Sequence, residues 1–193
     1  MPLSPPAPSP LPWDDVELHR RVQAAIASYW AVRRGAAERQ AAAGVTDTGT
    51  RGEVTGGRHL DAFCALFGEV ARAAGFDGAE VRTRTGVELP GYYRATKQWD
   101  IVVARRGRLC AAVEMKSQVG PSFGNNFNNR TEEAVGSAAD FWLAYREGAL
   151  GAHPPWLGYF LMVEETAGST RPVGVSSPLF PALPAFTDPP NPS

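Results

Sequence analysis

Cysteine is nearly missing from this chain: Cys64 and Cys110 are the only two in 193 residues. They lie far apart, each in an apolar stretch where a free thiol behaves as a small hydrophobe, so both read as core and a disulfide framework is excluded. Histidine is as scarce. His19, His59 and His153 are the only three, and none shows the close pairing that a zinc site uses, so a bound metal should be held by oxygen. Long apolar runs are missing too: none approaches the roughly 20 residues needed to cross a bilayer. The N-terminus carries no charged-then-apolar leader pattern, and the expected address is cytoplasmic, with no membrane partner. Nor is there an excess of charge. Nineteen basic residues stand against twenty acidic ones, a net of -1, which argues against a wholesale polyanion binder and leaves phosphate affinity to local clusters.

What is present is the balance of a globular protein, with 44% hydrophobic and 20% charged residues. The length suits one compact domain. Six prolines crowd the first twelve residues and seven the last twenty-two. The expected organisation is therefore a Pro-rich extension over 1–13, a folded domain over 14–171 and an irregular tail over 172–193.

Val22, Ile26, Tyr29 and Trp30 recur at helical spacing between Asp14 and Ala43, whereas Gly44 to Gly57 has no periodicity and reads as a long surface loop. A second helix is better marked: Leu60, Phe63, Cys64, Phe67, Val70, Ala71 and Ala74 form one stripe, and Gly75 supplies the stop. Three strands follow, over Ala79–Thr83, Trp99–Ala104 and Leu109–Met115, the last two joined as a hairpin through Arg105, Arg106, Gly107 and Arg108. Ser117 to Arg130 reads as an Asn- and Gly-rich loop. Ala134, Val135, Ala138, Phe141, Trp142 and Tyr145 then mark a helix, with Asn129 and Glu132 as an N-cap arrangement, and Trp156–Val163 is a buried strand. This order predicts a mixed sheet with helices on its faces, an α/β layered domain.

The hairpin carries the chemistry. It sets Asp100 opposite the region around Val113 and Glu114, and strand alternation puts Glu114 and Lys116 on one face. Two carboxylates are hard oxygen ligands suited to Mg²⁺, and Lys116 can hold or deprotonate a water, a combination that fits phosphodiester hydrolysis. Spacing alone leaves a plainer alternative, an exposed pair at one strand end and an acid at the start of another. The apolar runs Ile101–Val103 and Ala111–Val113 weigh against it, because core strands seldom end in clustered charge without a use. Arg82, Arg84, Arg94, Lys97, Arg105, Arg106, Arg108, Lys116 and Arg130 outnumber Glu88, Asp100 and Glu114 in the same stretch. That local excess suits a polyanionic substrate, although Arg105, Arg106 and Arg108 equally fit a solvated turn. Lys97, Ser117, Gln118, Asn125, Asn126, Asn128, Asn129 and Arg130 are candidate DNA contacts, the amides being able to bond base edges in pairs. An Asx-rich turn capping the following helix would use the same asparagines.

The run Val87-Glu-Leu-Pro-Gly-Tyr-Tyr-Arg-Ala-Thr-Lys-Gln-Trp-Asp100, the run Glu114-Met-Lys-Ser-Gln-Val-Gly-Pro-Ser-Phe-Gly-Asn-Asn-Phe-Asn-Asn-Arg-Thr-Glu-Glu133, and Ala144-Tyr-Arg-Glu-Gly148 closely resemble the XhoI family of type II restriction endonucleases. The resemblance implies a restriction-endonuclease-like PD-(D/E)xK fold and a homodimeric, Mg²⁺-dependent type II site-specific deoxyribonuclease. Such an enzyme cuts double-stranded DNA at the palindrome CTCGAG, leaves 5′ overhangs and is paired with a cognate DNA methyltransferase. Asp100, Glu114 and Lys116 take the family's catalytic positions, Asp100 and Glu114 as the metal ligands, with Trp99 where the motif has proline. Asp61 and Glu69 are further acids, read as plain helix residues in preference to metal ligands. The resemblance runs from the first helix to about Phe186 and gives way to Thr-Asp-Pro-Pro-Asn-Pro-Ser where the family continues in helical sequence, so the alternative expectation is a shortened homologue that binds DNA without cutting it.

Overall fold

The computed structural model describes residues 12–42, 58–171, 179–181 and 183. The expected loop over 44–57 and nearly all of the two Pro-rich ends lie outside them.

Helix α1 (Asp15–Ala42) starts where the Asp14 carboxylate accepts the Glu17 N–H at 2.8 Å, a side-chain cap on an otherwise orphaned donor. A single turn at Arg58–Leu60 leads into α2 (Asp61–Ala73). The stop at Gly75 is as expected: its φ of 92° is open to glycine, and the Gly75 and Phe76 N–H groups close back on the carbonyls of Arg72 and Ala71. Strand β1 is only Val81–Arg82, shorter than the expected Ala79–Thr83. The Asp77 carboxylate takes the N–H groups of Ala79 and Glu80, holding that stretch in a turn and delaying the ladder.

A small antiparallel hairpin, β2 (Glu88–Pro90) with β3 (Thr96–Gln98), stands apart from the main sheet; the sequence reading missed it. The main hairpin is β4 (Ile101–Arg105) and β5 (Arg108–Gln118). Its two central turn residues, Arg106 and Gly107, both have positive φ, 51° and 76°, as two-residue turns of matching twist require. Pairing runs Arg105 with Arg108 and Ala104 with Leu109, then resumes one residue later as Val103 with Ala111. Cys110 is thus an extra residue, a β-bulge, and both Cys110 and Ala111 pack against the same side.

The asparagine-rich segment is not a loop. Helix α3 spans Phe123–Arg146, two turns ahead of the expected start. Ser122 precedes it without a side-chain cap bond, so Asn129 and Glu132 are interior helix residues instead of an N-cap pair. Asn125, Asn128 and Asn129 are accommodated because they are exposed; Asn128 bonds Glu132 one turn on, at 2.8 Å. Helix α3 is the crossover that a parallel pair needs, bringing the chain back to β6 (Trp156–Val163) beside β5. A short helix α4 (Ala167–Thr170), closed by a Thr166–Ser169 capping box, follows.

The sheet order is β1-β4-β5-β6, antiparallel except for β5 with β6. Alternation divides its side chains. Ile101, Val103, Val113 and Met115 face α1 and α2, meeting Tyr29 and Phe63, while Val102, Ala112 and Leu109 face α3, meeting Phe141 and Ala144. The result is a mixed sheet between two helical layers, the α/β fold that the sequence predicts and one consistent with a restriction endonuclease.

Candidate active site

The two strands that form the tight hairpin deliver the expected charges to the end remote from its turn. Val113 and Met115 are committed to the α1–α2 core, so Glu114 and Lys116 emerge together on the α3 side. Register extended one residue beyond Ile101 and Val113 sets Asp100 across from Glu114. Asp100 ends the ladder in a bend: its own N–H donates to the Val113 carbonyl at 3.0 Å, and its Oδ2 accepts the Met115 N–H at 2.6 Å. A carboxylate oxygen therefore stands where the next main-chain carbonyl would be.

Glu114 is 6% exposed and each of its oxygens is held by an ammonium group, Oε1 by Lys116 and Oε2 by Lys97 at 2.9 Å. A buried carboxylate without such partners would not stay charged. Lys97 also lies 4.8 Å from the centre of the Trp99 ring, a core residue packed against Phe141 that offers its face to the cation. Burial pushes the Asp100 carboxyl above its ordinary value; the Met115 N–H opposes this, the Glu114 charge adds to it, and Lys116 and Lys97 oppose it in turn.

The remaining sequence candidates divide. Lys97 is largely buried and pairs with Glu114 at 2.9 Å. Ser117 alternates to the α1–α2 side of β5, away from Glu114. Gln118 is 4% exposed and its amide donates to the Phe123 carbonyl, tying β5 to the start of α3. Asn125, Asn128 and Asn129 are exposed on the first turns of α3 and Asn126 is half-buried there. Arg130 pairs with Glu133 at 2.9 Å. Asp61 pairs with Arg84 at 2.6 Å and Glu69 with Arg21, which accounts for both as helix-surface partners. The expected basic surround is smaller than the sequence count: Arg105, Arg106 and Arg108 cluster at the hairpin turn, the far end of β4 and β5, roughly 15 Å from Asp100 at a strand's rise per residue.

Reasoning from sequence missed four cleft residues. An open cleft of about 460 Å³ is lined by Arg94, Lys97, Glu114 and Lys116 on one side and by Glu132, Glu133, Gly136 and Ser137 of α3 on the other. The signal was present: with a helix starting at Phe123, positions 133, 137, 141 and 144 fall on one stripe, polar at the cleft and apolar where Phe141 and Ala144 enter the core. Its acids also reach Tyr159 on β6, whose hydroxyl is pushed up to about 12 by burial first and by Glu133 next.

Residues 39–189 match the family model for restriction endonuclease XhoI. The chain belongs to the XhoI restriction endonuclease family. Its relatives include type II restriction enzyme BstVI of Geobacillus stearothermophilus, 49% identical over 146 residues, covering 72% of this chain and 65% of the relative. AbrI of Azospirillum brasilense is 45% identical over 166 residues, 85% of this chain and 74% of the relative. XhoI of Xanthomonas vasicola is 46% identical over 176 residues, 90% and 70%. The chain thus spans about two thirds to three quarters of the length of these XhoI-family enzymes. No solved structure matches it. Within the XhoI match fall Asp100, Glu114, Lys116 and the whole of α3.

Proposed function

We propose that this chain is a type II restriction endonuclease that hydrolyses phosphodiester bonds of double-stranded DNA with Mg²⁺ at CTCGAG. The single observation that carries this is the convergence of Asp100, Glu114 and Lys116 from adjoining strands onto one end of the sheet, beside an open cleft, in a chain of the XhoI family. Asp100 and Glu114 would hold the metal. Both are hard oxygen donors, and Asp100 Oδ1 has no hydrogen-bond partner among the described residues. Two ammonium groups already hold Glu114, so a metal would take the place of at least one of them on that carboxylate. Bound there, a divalent ion supplies charge neutralisation at the phosphate and acidifies water.

The chain's own groups do the rest. Lys116, partly exposed at the cleft mouth, holds the attacking water by donating hydrogen bonds. Lys97 and Arg94 draw the backbone phosphates toward the cleft. Asn125, Asn128 and Asn129, exposed on the opening turns of α3, read base edges in this account, in the manner of a helix entering the major groove by its N-terminal end. A palindromic site calls for a two-fold pair of chains, so the working form is a homodimer, acting in the cytoplasm beside a methyltransferase that protects host sites.

The test is incubation of the purified chain with a plasmid carrying CTCGAG, with Mg²⁺ and with chelator. Site-specific fragments only with Mg²⁺ are expected. Specific binding without cutting would instead select a DNA-binding homologue, and no salt-sensitive DNA affinity would remove DNA from the account altogether.

A further inference from the structure

The β2–β3 loop is held far more firmly than a surface loop needs. Asp140 of α3 is 2% exposed, and its Oδ1 accepts the main-chain N–H groups of Tyr92 at 2.8 Å and Tyr93 at 2.7 Å. Its Oδ2 pairs with Arg94 at 3.0 Å. A side chain at Gly91 would stand 2.7 Å from that same oxygen, so the loop closes down on the carboxylate only because Gly91 has none. Burying a charge costs free energy, and here it is satisfied by the backbone of the two residues whose rings are left outside. Tyr92 is 50% exposed and Tyr93 70%, packed edge to face with centroids 4.9 Å apart. The fold thus fixes a loop in order to display two aromatic rings to water. Arg94 of the same loop and Lys97 of β3 line the cleft that holds Glu114 and Lys116.

We infer that Tyr92 and Tyr93 form a second DNA contact, seated against the duplex beside the scissile phosphate, with Asp140 and Gly91 as the positioning residues that aim them. The occupant is DNA because Arg94, next in the chain to the two rings and half-exposed, lines the cleft of the proposed phosphate site together with Lys97 and Lys116, and tyrosine offers a flat apolar face to base or sugar. The inference rests on the nuclease reading above and adds to it a contact outside the cleft.

Binding is measured by fluorescence anisotropy on a labelled CTCGAG duplex without Mg²⁺, so that no cutting intervenes, with thermal melting run in parallel. Tyr92→Ala and Tyr93→Ala are expected to weaken binding by about tenfold each, at the scale of a lost stacking contact, with the melting temperature unchanged because both rings are exposed. Tyr92→Phe and Tyr93→Phe should keep wild-type affinity, and Gly91→Ala should weaken it although both rings remain. Wild-type affinity in both alanine variants overturns the inference while leaving the nuclease reading intact. Equal losses in the Phe and Ala variants overturn the ring contact. A wild-type chain with no affinity for the duplex defeats the parent reading and this inference with it.

Discussion

Asp100 and Met115 are joined across the hairpin end by a hydrogen bond of 2.6 Å, the Met115 N–H donating to Asp100 Oδ2. One oxygen of the acid therefore serves the fold, and the other is left for chemistry. The two duties separate by substitution. Asp100→Ala leaves the Met115 N–H without its acceptor and should cost about 1–3 kcal/mol in denaturant unfolding as well as all cleavage. Asp100→Asn retains a carbonyl acceptor, so stability should return to within about 1 kcal/mol of wild type while cleavage stays lost. Cleavage by Asp100→Asn at near wild-type rate would show that its charge is not needed.

Lys116 and Lys97 grip opposite oxygens of Glu114 but differ in setting, the first partly open to the cleft and the second 13% exposed. Lys116→Ala should abolish cutting while the protein still retards a CTCGAG duplex in a gel. Lys97→Met should in addition lower stability by about 2 kcal/mol, because a buried carboxylate loses a charge-assisted hydrogen bond. Equal unfolding midpoints for wild type and Lys97→Met would contradict that packing of charges.

Glu80 meets Arg105 at 2.7 Å and 2.8 Å through two oxygens. The Arg105 guanidinium, helped by the Asp77 N–H, holds the Glu80 carboxyl at about 2 instead of its ordinary 4.5. A depressed folded value means that the contribution is fully present above about pH 4.5 and is lost as pH falls toward 2. The melting-temperature gap between wild type and Glu80→Gln should accordingly be widest above pH 4.5 and close on acidification. A gap that widens below pH 4 would reverse the sign.

The Cys64 thiol is pushed up to about 11, first by burial and then by the Asp100 and Asp61 charges, and its sulfur lies 3.6 Å from that of Met115. In a Cys110→Ser background it should resist iodoacetamide at pH 8 while folded and react quickly in denaturant, as followed by mass spectrometry. Rapid labelling of the folded chain would place that thiol in solvent.

Most of this fold was legible. Helix α2 showed its stripe and its glycine stop, β6 its apolar run, and the main hairpin its turn residues, because each is set by local periodicity or by a positive φ. The acids and the lysine were legible for the same reason, since alternation on β5 leaves Glu114 and Lys116 only one shared side. What escaped was decided by long-range contacts. Four asparagines within five positions suggest a loop, yet the crossover to β6 and the Gln118 bond to Phe123 hold them in α3. The β2–β3 hairpin is too short to announce itself by alternation, and it is fixed by Asp140, about fifty positions away. Glu133 became visible as a cleft residue only once the start of α3 was known.

The widening at Cys110 carries a consequence for parity. Had that surplus residue passed up the strand instead of being taken up in one step, every side chain beyond it would have changed sides. Glu114 would then lie among Tyr29 and Phe63, and Met115 would take its place between Lys97 and Lys116. A miscount near the turn can thus silence chemistry several residues distant without altering any group that performs it.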